Sequence, residues 1–132
     1  MSTTRGTLAD VEIHLRRLLA ATDPHAFLIV SVEGTPHFLQ FSADSTGIEL
    51  DFPLVTAEQQ KREQAIRRFC QGPDRLLRES RGSDGSRFLD CDLPRDARRG
   101  AEIARQALKE LFGVVESAGL IFAGDLLPPV AA

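Results

Sequence analysis

The stretch AFLIVSVEGTPHFLQFSADSTGIELDFP, residues 26–53, holds three apolar segments separated by two turn signals. Residues 26–32 are rich in β-branched and aromatic side chains, and Phe27-Leu28-Ile29-Val30 is apolar on both faces. That pattern predicts a central strand, or one covered on both sides. Glu33-Gly34-Thr35-Pro36 turns the chain. Residues 37–42 then alternate, with Leu39 and Phe41 inward and Gln40 and Ser42 outward. After a second turn at Asp44-Ser45-Thr46-Gly47, residues 48–52 show the cleanest alternation in the chain, with Ile48, Leu50 and Phe52 on one face. Three consecutive strands with short turns make an antiparallel meander.

On the N-terminal side, Leu8, Val11, Leu15 and Leu18 recur at helical spacing, opposite Glu12, His14, Arg16 and Arg17. This predicts an amphipathic helix over 7–21, ended by Asp23-Pro24. Residues 1–6 are small and polar and are expected to fray. On the C-terminal side Pro53 ends the meander, and Thr56-Ala57-Glu58-Gln59 reads as a capping box opening a helix that continues to about Gln71. Gly72-Pro73 stops that helix. Leu76-Leu77 can begin a short strand, and Asp84-Gly85 signals a hairpin into a strand over 87–93. In that strand Leu89, Cys91 and Leu93 lie opposite Phe88, Asp90 and Asp92. The repeat Ala101, Ala104, Leu108, Leu111, Val115 predicts a last helix over 95–117, followed by an apolar tail over 119–132. The order is helix, three-stranded antiparallel meander, helix, two strands, helix, which is an α+β class in a single domain spanning 1–132.

A chain of 132 residues with 42% hydrophobic and 27% charged residues has ordinary globular usage, which excludes disordered and collagen-like classes. Its longest uncharged apolar run, 26–32, is far short of the about 20 residues that span a bilayer. No signal-like segment opens the chain, because 8–21 carries charges throughout. With 16 basic against 19 acidic residues the net charge is −3, which disfavours a nucleic-acid partner. Cys70 and Cys91 form no metal-type pair and suit a reducing compartment. A cytoplasmic protein with no membrane and no nucleic-acid partner is expected.

Candidate chemistry is sparse. Gly82-Ser83-Asp84-Gly85 lacks the Gly-Lys-Ser/Thr of a phosphate loop and reads as a hairpin turn. His14 falls on the polar helix face, His25 in a loop and His37 at a strand start, a scatter that does not build a metal site. Asp90 and Asp92 share a strand face and form a carboxylate pair, read as solvated with Arg87, Arg95 and Arg98 near in sequence. Cys91 alternates with Leu89 and Leu93 and so reads as a core residue, and pairing it with His37 as a nucleophile has no support. Arg16-Arg17, Lys61-Arg62, Arg67-Arg68 and Arg98-Arg99 are interleaved with acids, the pattern of salt-bridged helix surface. No catalytic residue, metal ligand or cofactor is expected.

The element order, carried by the helix over 8–21, the meander over 27–52, the helix over 59–70, the strand over 88–93 and the helix over 95–115, resembles the type III secretion chaperone and YbjN-like peptide-binding chaperone superfamily. The pI of 5.6 and the apolar tail align it with the YbjN-like branch. The resemblance implies a homodimer whose protomers hold an unfolded client segment.

The residues themselves suggest where such a client would sit. If the first and last helices cover one sheet face, then Leu28, Val30, Val32 and Phe38 form an apolar patch on the other, open to a client protein or peptide. The alternative is a small-ligand or regulatory module with polar contacts from Gln60, Arg67 and Arg68.

Overall fold

A computed structural model of the chain describes residues 2–129. In chain order the elements are β1 (Ser2–Gly6), a 3-10 turn (Leu8–Asp10), α1 (Val11–Ala20), β2 (Phe27–Val32), β3 (Phe38–Ala43), β4 (Ile48–Pro53), α2 (Ala57–Lys61), α3 (Glu63–Phe69), β5 (Leu76–Arg81), β6 (Arg87–Leu93), α4 (Ala97–Phe112) and β7 (Leu120–Asp125). The seven strands form one antiparallel sheet in the order β1-β7-β2-β3-β4-β6-β5. The class is α+β, and β2-β3-β4 is the expected meander.

The helices lie together on one face of this sheet. Val11, Leu15 and Leu18 of α1 join Ile103, Ala104, Ala107 and Leu108 of α4 in a single core with Leu39, Phe41, Ile48, Leu50, Leu89 and Leu120. Gly100 lets α4 approach closely, since a Cβ there would sit 3.1 Å from the Cδ1 atoms of both Leu15 and Ile48. Ile66 and Phe69 bring α3 to the same side, with Phe69 edge-on to Phe52.

Four expectations are corrected. Residues 2–6 are an edge strand paired with β7, with Thr4 opposite Phe122 and Arg5 tied to Glu33 at 3.0 Å. The tail over 119–132 supplies β7 itself, inserted between β1 and β2, because Leu120 and Phe122 alternate with Ile121 and Ala123 and bury on the core side. Met1 and residues 130–132 of that tail lie outside the described residues. The second helix is broken in two at Arg62, whose backbone leaves helical geometry (φ −93, ψ 1). The last helix stops at Phe112, where Gly113 takes φ 66 and the Val114 amide donates back to the Leu108 carbonyl at 3.0 Å.

A further correction concerns side-chain direction: the expected patch of Leu28, Val30, Val32 and Phe38 does not exist as one surface. Leu28 pairs with Phe41 and Val30 with Leu39, so Leu28, Val30 and Val32 all face the helices and are buried. Phe38, opposite Ser31, points the other way. Strand β2 is apolar on both sides, so its sequence alone does not choose a face, and cross-strand register makes the choice.

Candidate functional site

The face of the sheet opposite the helices has two chemically distinct halves. One is apolar. Phe27 and Ile29 of β2, Phe38 of β3 and Ile121 and Ala123 of β7 all project there, each only half-buried. Phe38, at the start of β3, also borders a cavity shared with Ile66 of α3 and Phe112 of α4.

The other half is acidic. The alternation of β4 places Glu49 and Asp51 on this face, and that of β6 places Asp90 and Asp92 there. Strand pairing sets Glu49 opposite Asp92 and Asp51 opposite Asp90. Carboxylate oxygens of Glu49, Asp51 and Asp90 lie within 4.8 Å of one another. Asp90 is only 2% exposed, so the expectation of a solvated Asp90–Asp92 pair is corrected at that residue. The cover is Arg78 of β5: it stands opposite Asp90, and its guanidinium reaches Asp92 at 2.6 and 2.9 Å and Glu49 at 3.1 Å. Arg78 is thereby committed to the outer pair. Asp51 Oδ1 and Asp90 Oδ2 remain buried with no donor.

That deficit has an electrostatic consequence. Burial first, then the adjoining carboxyls of Asp90 and Glu49, push the Asp51 carboxyl up to about 9. A protonated Asp51 acts as a donor to its neighbours, one way to accommodate three acceptor-only groups. Beside the cluster, Glu49, Arg78 and Asp92 border a polar hollow of about 510 Å³ that extends to the Asp44–Gly47 turn.

A third feature is an apolar cavity of about 250 Å³ where β3 begins and β4 ends beside α2, lined by Phe38, Phe52, Pro53, Ile66, Phe112 and His37 among others. His37 stacks on Phe112 at 4.6 Å, and burial, then the Arg62 charge, lowers its pKa. The Arg62 guanidinium also lies over the Phe112 ring, 5.5 Å from its centre, and donates to the Leu111 and Glu58 carbonyls. The break between α2 and α3 thus coincides with the contact of Arg62 on the end of α4.

The remaining sequence candidates separate. Gln60 donates to the Leu54 carbonyl at 3.3 Å, Arg67 is tied to Glu63 and Glu79, and Arg68 borders a different hollow, so these three do not converge. His14 is not on a polar face: it is 5% exposed and stacks on Phe122 at 4.2 Å. Burial, then Arg17, lowers its pKa. Cys91 is fully buried beside Cys70, whose thiol contact with burial raises it, while His37 belongs to the apolar cavity. Sequence reasoning missed Glu49 and Asp51. Their signal was the same alternation that marked Ile48, Leu50 and Phe52 as core, read from its outward side.

No protein-family model, no curated protein and no solved structure matches this chain.

Proposed function

We propose that this chain is a non-enzymatic polypeptide-binding module, working as a homodimer and holding an extended client segment on the uncovered sheet face. The observation that carries the reading is the apolar half of that face, continuous through Phe38 with the 250 Å³ cavity. An extended segment laid there covers Phe27, Ile29 and Ile121 and sets an apolar side chain into the cavity. The acidic half favours a client with basic residues flanking its apolar ones. Two copies stacked face to face through the same patch are disfavoured, because the arrangement that meets acid with acid is repulsive and the other buries carboxylates against apolar side chains. The helix, meander, helix, hairpin, helix order, extended by β1 and β7 at one edge, supports a likeness to the secretion-chaperone and YbjN-like superfamily.

An array of immobilised peptides probed with the purified full chain tests this. Retention of peptides that combine apolar and basic residues is expected, with loss of at least tenfold in affinity for an Ile29→Asp plus Phe38→Asp variant that keeps its far-UV circular dichroism. Light scattering of the eluted protein gives the stoichiometry. Absence of any retained peptide class, or retention unchanged in the double variant, overturns the reading.

A further inference from the structure

We propose that Glu49, Asp51 and Asp90 form a binding site for a calcium-sized divalent cation on the uncovered face of the sheet. The cluster of acids is joined by a second observation: Asp90 is only 2% exposed, and its Oδ2, like Asp51 Oδ1, is buried with no hydrogen-bond donor. Leaving a buried carboxylate oxygen unpartnered costs more than leaving a neutral acceptor so, and a cation satisfies both oxygens at once.

The spacing of the oxygens fits a calcium-sized ion. Two oxygens bound to one cation lie at most twice the metal–oxygen distance apart, about 4.0–4.2 Å for Mg²⁺ and about 4.6–5.2 Å for Ca²⁺. One carboxylate oxygen from each of Glu49, Asp51 and Asp90 lies within 4.8 Å of the others, inside the span that Ca²⁺ bridges as the side chains stand. An all-carboxylate donor set with no nitrogen or sulfur belongs to hard cations rather than zinc or copper. Four carboxylates face one guanidinium, that of Arg78, which occupies Asp92 and one oxygen of Glu49 and leaves the inner oxygens free. The polar hollow bordered by Glu49, Arg78 and Asp92 adjoins the cluster on its Glu49 side. The cross-strand register, with Asp51 opposite Asp90 and Glu49 two residues before Asp51, holds the donors at two successive positions on one face of β4 and β6.

The test is calorimetric titration of CaCl₂ into the chelator-stripped full chain, with MgCl₂ in parallel and no peptide present, so its result is independent of the polypeptide-binding reading. One saturable site per chain is expected, with a Kd of about 0.1–1 mM given so few protein ligands, Ca²⁺ tighter than Mg²⁺, and a thermal midpoint raised by CaCl₂. Asp90→Asn should weaken binding at least tenfold. Should Asp90→Asn fail to fold, the half-exposed Glu49→Gln carries the same test. Absence of saturable binding up to about 10 mM, or affinity unchanged in both variants, overturns the site and leaves a cluster held together by a shared proton alone.

Discussion

Adjacent residues of one strand have opposite fates in this protein. Leu28 is 1% exposed and faces Phe41 in the core, whereas Ile29 faces the open side across from Ala123. Leu28→Ala should cost about 2–5 kcal/mol by denaturant unfolding, and Ile29→Ala less than half as much. Equal losses would mean that the two faces of β2 are equally packed. His14 makes the second prediction. Its folded pKa is lowered, chiefly by burial against the Phe122 ring, so between the ordinary value of 6.5 and the folded value the unfolded chain binds the extra proton. Stability is therefore complete above pH 6.5 and falls as the pH drops below it. His37 acts in the same direction. A His14→Gln variant should lose less stability than the wild type between pH 7.5 and pH 5, read as the change in thermal midpoint across that interval.

At the level of elements, caps and ion pairs decide where helices begin, break and dock. Asp96 accepts from the Arg98 and Arg99 amides at 3.0 and 3.2 Å and starts α4. Asp96→Ala should cost about 0.5–2 kcal/mol, with no change in the position of the sheet residues by amide chemical shift. Arg62 interrupts one helix to close another, since it donates to the Leu111 carbonyl in the last turn of α4 and covers Phe112. Arg62→Ala should open the apolar cavity: dye binding to exposed apolar surface rises while helix content changes little. Arg87 ties α3 to the hairpin, donating to both Glu63 and Glu79. Here the amino-acid pattern was legible to different depths. The capping box at Thr56 and Gln59 is present as read, with the Gln59 amide donating to Thr56 Oγ1 at 3.1 Å. The break at Arg62 was not legible, because it coincides with a contact to residue 111, far along the chain.

Across the whole molecule the outer strands matter more than their composition suggests. Strand β7 lies between β1 and β2 and buries Leu120 and Phe122 completely or nearly so. Removing residues 120–129 strips β1 of its partner and uncovers His14 and Val30, so the truncated chain should lose cooperative thermal unfolding. Retention of a sharp transition would show that β2 to β6 and the helices form a sufficient core.

The class, the meander, the hairpin and the buried sets Ile48-Leu50-Phe52 and Leu89-Cys91-Leu93 followed from residue order, because period-two alternation and turn chemistry are local properties. The orientation of β2, the recruitment of residues 2–6 and 120–125 into the sheet, and the meeting of Glu49, Asp51 and Asp90 did not. A strand apolar on both sides satisfies its local pattern in either orientation, and the alternation of a single strand says nothing of its neighbour. Those choices rest on hydrogen-bond register and on which layer the helices cover, and both arise only when segments distant in sequence pack together.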